Sequence, residues 1–398
     1  MSTLRKWGPL LSAYVLGVLG VASLVVMVPL RADLTQAFGF STGQFGLLMG
    51  LIGISAALLA PVGGSLIDRF GLRAMVIAGA AVACAVNLAY WRVAQADLFF
   101  PLRLAEGFAF ATLMAGGPPL ILRTFEGRGQ VVAMTLWSTA TPVAISVGMA
   151  LGGSFAATAG WRNAFLWYGL AFLLAGGIAA LVLPSLASDD RRSGSIGSEL
   201  RTLITGYRQG NAVRLGLILF LTAGSSLGIN TILPSHLARY HELSIAAAAN
   251  LIASANLAMI AGSVLLGAIL ASGARASLVY MGLTLGACVA IAAVLHPAST
   301  VGTIWIAFAA WAMMAGAAQT SVFTVLPRIT QPRMIGLATG VLNQLAIGAS
   351  AIAPLIFLRT AQEGWPMVIA LCLAAWTASL ALMLLVRPTP EPAAVPAP

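Results

Sequence analysis

The sequence predicts an all-α membrane protein with twelve transmembrane helices in two pseudo-symmetric six-helix bundles. Three observations lead to this fold class. Of the 398 residues, 60% are hydrophobic and only 8% are charged, whereas a soluble globular chain carries about 25% charged residues. Twelve apolar runs follow one another, each of about the 20 residues that a helix needs to cross a bilayer. Short motifs of the first half also recur in the second half at a constant offset.

The predicted spans are separated by short polar connections, with one exception. They lie at 9–30, 43–66, 73–93, 98–122, 130–157, 162–184, 213–235, 245–271, 275–296, 300–326, 334–358 and 365–386. The exception is a long connection rich in Ser, Gly and charge, which divides the spans into six and six. We therefore assign a first bundle (1–184), a cytoplasmic linker (185–211), a second bundle (212–387) and a Pro-rich tail (388–398).

Part of the linker has the pattern of a surface helix. Leu200, Leu203, Ile204 and Tyr207 recur at helical spacing with arginines among them, which is typical of a short amphipathic helix on a membrane surface. A flexible linker that contains a few leucines is the alternative.

The two halves of the chain resemble copies of each other. Gly160-Trp161 recurs as Gly364-Trp365, and Cys84 recurs as Cys288, both 204 residues later. Several matches at one offset predict a parallel repeat of six helices, which is typical of transporters built from two similar bundles.

The distribution of Lys and Arg predicts the orientation. With a cytoplasmic amino terminus, fifteen of the 21 basic residues fall on the cytoplasmic side and six on the other, as the positive-inside rule requires. We expect a multi-pass protein of the bacterial inner membrane, with both termini in the cytoplasm and the first apolar run retained as a span. The net charge is +10, but the arginines are scattered between apolar runs, so nucleic-acid binding is not expected.

The connection between the second and third spans carries the most specific motif. Gly64 and Gly71 allow a tight turn, and Asp68, Arg69 and Arg73 place an acid and two bases at the membrane surface. An acid there can pair with a base or interact with a helix amino terminus. Arginines that only set the topology are the alternative.

This G-x-L-x-D-R-x-G-x-R pattern resembles the loop motif of the major facilitator superfamily, a family of secondary transporters. The resemblance implies that these five residues latch the cytoplasmic side, with Asp68 contacting the amino-terminal end of the eleventh helix. Leu72 stands where the family usually has a second basic residue. The matching loop of the second half, Gly267 to Arg275, has no acid.

The fourth span contains Arg103 and Glu106, the latter being the one acid that we place inside a span. An ionised group in hydrocarbon is costly, so these charges should face a cavity or each other. We predict that they couple transport to protons or contact the substrate. The segment from Phe99 to Gly107 is similar to the superfamily's fourth-helix motif, where Gln commonly follows the Arg. A structural ion pair near the outer surface is the alternative.

Small residues line the fifth span at every fourth position. Gly148, Gly152 and Gly153 permit close helix packing. The segment also resembles the fifth-helix motif of the superfamily's antiporters, although Met149 replaces the expected Pro and Ala144 the first Gly. The match suggests export, and helix packing explains the glycines equally well.

Polar and aromatic residues inside the spans predict a mildly polar path for a modest-sized organic solute. Each of them taken alone is also compatible with a hydrogen bond between helices. The candidates are Tyr14, Trp137, Ser138, Asn230, Asn256, Gln319, Asn343 and Gln344.

Together these features predict a monomeric secondary active transporter of a small molecule, driven by protons through alternating access, in contact with the lipid bilayer. No catalytic, phosphate-binding or metal-binding motif occurs, so we expect no enzyme activity and no cofactor. Two alternatives remain open for the direction: proton-driven export of drug-like compounds, and symport of a small organic anion that meets Arg103. A receptor or a membrane-embedded enzyme is disfavoured by the latch motif and the lack of catalytic clusters.

Overall fold

The computed structural model describes residues 3–158, 160–185, 204–330 and 334–386. Among these residues, twelve helices are long and apolar enough to cross a membrane, and no strand is present. The predicted fold class is thereby confirmed. The helices are α1 (Thr3–Val25), α2 (Thr42–Phe70), α3 (Leu72–Arg92), α4 (Phe99–Ala115 and Gly117–Thr124), α5 (Gly127–Ser138 and Ala140–Thr158), α6 (Trp161–Val182), α7 (Gly210–Tyr240), α8 (Ile245–Asn256 and Ala258–Ala271), α9 (Ala276–Leu295), α10 (Val301–Ile329), α11 (Ile335–Glu363) and α12 (Trp365–Leu384).

The first connection differs from the prediction. The first span was expected to continue to residue 30, but α1 ends at Val25, a turn follows, and a short helix, Arg31–Phe38, precedes α2. We call this short helix the surface helix. The polar side chains of the surface helix end the apolar run of the first span. Its last residue, Phe38, packs on the aromatic cluster around Phe99 and thereby fixes the helix against the first bundle. Of the predicted linker helix, residues 204–207 are helical, and 186–203 lie outside the described residues, as does the tail.

The helix pairs repeat between the two halves. In the first half α1 packs on α5, α2 on α4 and α3 on α6, and in the second half α7 packs on α11, α8 on α10 and α9 on α12. The two bundles meet through α2 with α11 and through α5 with α8. Adding six to each helix number converts the three pairs of the first half into the three pairs of the second half. The contact of α2 with α11 corresponds in the same way to the contact of α8 with α5. The arrangement is therefore pseudo-symmetric.

The Gly-Trp repeat marks the same turn twice. Gly160 and Gly364 adopt φ of 73° and 123°, a region that residues with a side chain rarely occupy. Each is followed at once by the tryptophan that begins α6 or α12.

The two faces of the molecule differ in how the bundles meet. Because successive spans alternate in direction, the start of α1 and the end of α12 lie at one face of the molecule, which we call the terminal face. The surface helix lies at the opposite face, which we call the distal face. The distal half of α5 (Ala140–Thr158) packs extensively on the distal half of α8 (Ile245–Asn256), whereas the described terminal halves of these helices do not. A Cβ on Gly46 of α2 would lie 2.9 Å from the Cα of Leu355 on α11. The bundles are thus closed against each other toward the distal face.

Candidate functional site

A cavity of ≈170 Å³ lies between the bundles at mid-depth. Its wall comes from α1, α4 and α5 on one side and from α7, α8, α10 and α11 on the other. Most of the wall is apolar or aromatic, including Phe110, Met114, Met259 and Trp311. None of the described residues that line it carries a formal charge. Such a wall suits an uncharged or weakly polar organic molecule.

Three of the predicted path residues lie in this wall, namely Asn230, Asn256 and Gln319. The Nδ2 of Asn256 donates to the Oδ1 of Asn230 over 2.8 Å, and the Nδ2 of Asn230 donates to the backbone oxygen of Ser226 over 2.8 Å. The first bond joins α7 to α8, the second lies within α7, and together they fix the orientation of both amides. The wall therefore presents a small ordered polar patch in an apolar surface.

The predicted path residues on α1 and α5 make contacts between or within helices, and they are not among the residues that line the cavity. The hydroxyl of Tyr14 is 2.8 Å from the Oγ1 of Thr139, which joins α1 to α5. Trp137 is buried and packs closely against Gly117 of α4. The exposed Ser138 donates to a carbonyl of its own helix.

The two candidates on α11 are not among the described residues that line this wall, although Ala346 and Ser350 of the same helix are. Asn343 is exposed. Gln344 accepts a hydrogen bond from the hydroxyl of Tyr207 over 2.9 Å and donates to the backbone oxygen of Ala57 over 3.3 Å. Gln344 thus links the linker, α11 and α2.

Several wall residues were missed by the sequence analysis. Trp311 and Met259 line the wall but are not among the candidates from the sequence, because no local pattern distinguishes a side chain that faces a cavity from one that faces a neighbouring helix. Ser226 carried a usable signal, since it lies one helical turn before Asn230 and therefore on the same face of α7.

Arg103 and Glu106 form a buried salt bridge inside the first bundle. Their Nη1 and Oε2 atoms are 2.8 Å apart, and the side chains are 0% and 3% exposed. The hydroxyl of Tyr90 donates to the same Oε2 over 3.1 Å. Arg103 also points toward the backbone oxygen of Ser23 at 3.5 Å and the Sδ of Met49 at 3.6 Å. The pair is therefore enclosed by α1 to α4, and it is not part of the cavity wall.

The ion pair nevertheless lies directly behind that wall. Ser23, which Arg103 contacts, stands between Val21 and Leu24, and both of these line the cavity. Phe110, another wall residue, follows Glu106 by one turn of α4. One layer of residues thus separates the ion pair from the cavity.

The loop motif forms the turn between α2 and α3. Gly71 adopts φ 82° and ψ 146°, ends α2 and precedes α3. The guanidinium of Arg73 donates to the backbone oxygen of Ala180 on α6. Arg69 is exposed.

Gly64 and Asp68 lie in the last turns of α2, but the side chains of 60–65 and 68 are outside the part of the chain that the structure describes. The contact of Asp68 with α11 therefore stays a prediction from the family resemblance.

The glycines of α5 lie at close helix crossings. A Cβ on Gly148 or on Gly152 would come within 2.7 Å of a backbone oxygen of Ala22 or Val26, respectively. A Cβ on Gly153 would lie 2.6 Å from the Cβ of Ala249 on α8. Two of these glycines thus bring α5 against the end of α1 and the turn that follows it, and the third brings the two bundles together.

A family model described as Major Facilitator Superfamily matches residues 10–354. The chain belongs to the major facilitator superfamily. Two solved structures share the fold of this superfamily member over 96% of its length. One is a bacterial homologue of the human lysosomal transporter Spinster, with TM-score 0.74, 16% identity and 95% of that chain covered. The other is the nucleoside transporter NupG, with TM-score 0.76, 11% identity and 100% covered.

Curated relatives match over shorter stretches. The multidrug transporter mfsC of Aspergillus fumigatus is 26% identical over 184 residues, which is 45% of this chain and 35% of that protein. The methylenomycin A resistance protein of Bacillus subtilis is 28% identical over 137 residues, 34% of this chain and 29% of that protein. The chain thus spans about a third of the length of the curated relatives that it matches.

Proposed function

We propose that this superfamily member exports an uncharged or weakly polar organic compound in exchange for protons, with the central cavity as its binding site. The observation that carries the proposal is the cavity wall, which is apolar and aromatic, contains an amide patch and has no charged side chain among its described residues. A wall of this kind does not compensate the charge of a carboxylate solute. The names of the two relatives, a multidrug transporter and a resistance protein, favour export.

The alternative, symport of an organic anion, relied on Arg103 meeting the solute. In this conformation Arg103 is paired with Glu106 and fully buried behind the wall. The structure therefore offers no observation that favours the anion importer through this residue.

The orientation and surroundings belong to the same proposal. The terminal face is the cytoplasmic face of a bacterial inner membrane, since it collects most of the Lys and Arg. The protein works as a monomer, because the cavity is complete within one chain.

Transport of a fluorescent apolar dye tests the proposed site. Trp311→Ala should reduce dye export from cells that lack their other exporters, because Trp311 lines the cavity and is 1% exposed. Trp305→Ala is the matched control on the same helix, since Trp305 is 45% exposed on the outside of the bundle. Equal export by both variants, at equal protein levels, would contradict the proposed site.

A second pair of variants tests the amide patch. Asn256→Ala removes the hydrogen bond that joins α7 to α8 in the wall, and it should alter the apparent affinity for the dye. Asn250→Ala changes an exposed asparagine of the same helix, α8, that does not line the cavity, and it should transport normally. If the two variants gave the same affinity, the patch would not contribute to binding.

Proton coupling is assigned to Glu106. Neutralisation of its carboxylate would release Arg103 and Tyr90, both of which it now holds, one layer behind the cavity wall. Glu106→Gln should therefore abolish export driven by a pH gradient in proteoliposomes while dye binding is kept. Asp97→Asn, at an exposed acid at the distal end of the same span, is the control. Gradient-driven export by Glu106→Gln at the wild-type rate would exclude Glu106 as the coupling group.

A further inference from the structure

A second pocket, of ≈180 Å³, opens at the distal face, separate from the central cavity. We call it the distal pocket. The surface helix and α2 of the first bundle form one wall, and α7, α9, α11 and α12 of the second bundle form the rest. The hydrogen bond from Gln362 Nε2 to the Oγ1 of Thr42, 2.8 Å long, crosses between the bundles in this lining. The pocket thus lies on the seam that closes the distal face.

Both charged side chains among the described lining residues of the distal pocket are positive. Arg31 comes from the first bundle and Arg239 from the second. Neither guanidinium forms an ion pair within the described part of the chain: Arg31 makes one long hydrogen bond of 3.4 Å to Thr42, and Arg239 packs over the ring of Tyr240. Burial lowers the pKa of Arg31 from its ordinary value, which is the effect of a cation that is desolvated without a compensating anion.

The nearby acids do not compensate these arginines. Asp33 lies two residues after Arg31, Glu242 lies three residues after Arg239, and Glu363 follows Gln362 at the end of α11. None of these three carboxylates is among the residues that line the pocket, and none forms a salt bridge with a described residue.

The imidazole of His236 contributes a buried nitrogen, Nε2, that has no hydrogen-bond partner among the described residues. His236 lines the pocket and is 9% exposed. Its ring packs against Tyr240 at 4.8 Å and lies 5.9 Å from that of His241. A buried polar atom without a partner costs free energy, and a ligand with an oxygen atom would satisfy it.

We propose that the distal pocket binds a compact oxyanion, a carboxylate or a phosphate, which bridges Arg31 of one bundle and Arg239 of the other. Guanidinium groups bind these two oxyanions through paired N–H donors, with strong charge-assisted hydrogen bonds. A pocket of ≈180 Å³ that opens at the surface accommodates a compact oxyanion or the headgroup of a larger molecule. Because the ligand contacts both bundles, its binding holds the distal face closed.

Thermal unfolding of the full-length protein in detergent tests this site without measuring transport. Sodium phosphate and sodium succinate are titrated, with sodium chloride adjusted to keep the ionic strength constant. The unfolding temperature should rise and saturate with at least one of the two anions. Arg31→Gln and Arg239→Gln should each weaken this effect about tenfold or more.

The control is Arg92→Gln. Arg92 also lies at the distal face, where it packs over the ring of Trp91 at 4.0 Å, and it does not line the distal pocket. This variant should respond to the anions as the wild type does. Arg239 is exposed, so its replacement does not endanger folding, and its unfolding temperature without anion verifies this.

A lipid headgroup is a second source of the same oxyanion, and a separate arm of the experiment distinguishes it. Phosphatidylglycerol is added to the detergent micelles in place of the soluble anions. Stabilisation by this lipid alone that is lost in Arg239→Gln would keep the proposed site and identify the ligand as a headgroup. No stabilisation by any of the three compounds, or equal stabilisation of the wild type, Arg31→Gln and Arg239→Gln, would overturn the proposal.

Discussion

The ion pair of Arg103 and Glu106 is held in a region where isolated charges are strongly disfavoured. Each charge alone would cost at least a few kcal/mol inside the membrane, and the pair makes both tolerable because the two side chains meet at 2.8 Å. Tyr90 adds a hydrogen bond to the carboxylate. The stability of the protein should therefore fall strongly when one partner of the ion pair is removed, and much less when both are removed.

This asymmetry gives a stability prediction. Arg103→Met leaves Glu106 buried without its cation and should destabilise the protein by about 3–5 kcal/mol, whereas the double variant Arg103→Met/Glu106→Met should lose much less. Thermal unfolding in detergent, followed by circular dichroism, compares the two. A double variant less stable than Arg103→Met alone would mean that the ion pair is not the main cause of the loss.

At the residue scale, chemistry was more predictable than location. The i, i+3 spacing of Arg103 and Glu106 permits a pair, and the rule that membrane charges seek partners led to the expectation that they face each other or a cavity. Which residues line the cavity depends on how the two bundles are placed relative to each other, and no local sequence pattern contains this information. Asn256 and Gln319 line the cavity, while Asn343 is exposed, although all three are amides inside apolar helices.

At the scale of the helix, the closest approach between the bundles depends on glycine. A Cβ on Gly50 of α2 would collide with the backbone oxygen of Ala351 on α11. Small residues let membrane helices approach until their backbones touch, and here they do so on the surface that closes the distal face.

A matched pair of substitutions tests this crossing. Gly50→Ala should destabilise the purified protein by about 1–3 kcal/mol, because the added methyl forces α2 and α11 apart. Gly348→Ala lies on α11 itself, where an added Cβ meets nothing within 4 Å, and should be neutral or slightly stabilising. The measurement is the unfolding temperature of each variant. A Gly50→Ala protein as stable as Gly348→Ala would show that the crossing tolerates a side chain.

The spans were predictable because length and hydropathy alone determine whether a helix crosses a bilayer. The surface helix was not predictable, because a segment as short and polar as Arg31–Phe38 has the same sequence pattern as an ordinary connection between spans. Its place is fixed by tertiary contacts, among them that of Phe38 with Phe99 at 5.0 Å. The interruption of α8 at Leu257 was also not predicted, because no Pro or Gly marks it.

At the scale of the whole molecule, the closed distal face predicts which positions can be joined between the bundles. Thr42 and Gln362 are in contact across the seam at 2.8 Å. With Cys84, Cys288 and Cys372 replaced by Ala, the pair Thr42→Cys/Gln362→Cys should react with a short thiol-to-thiol cross-linker and lose transport. A protease site is inserted into the linker between residues 186 and 203. After cleavage, a denaturing gel shows whether the cross-linker still joins the two halves.

The matched control pair for this cross-link is Ser138→Cys/Ser263→Cys. These positions lie on the terminal halves of α5 and α8, which do not pack extensively on each other, so little product is expected. If this pair were joined efficiently and the distal pair were not, the closed face would be the opposite one.

The uncharged cavity wall also has an electrical consequence. None of the described wall residues carries a formal charge, and the ion pair behind the wall has no net charge. If one proton is exchanged for one uncharged solute, a single net charge crosses the membrane in each cycle. The membrane potential therefore drives the exchange together with the pH gradient, at roughly 2.3 kcal/mol per 100 mV. At equal pH on both sides, that voltage alone would sustain a solute ratio of roughly 50 across the bilayer.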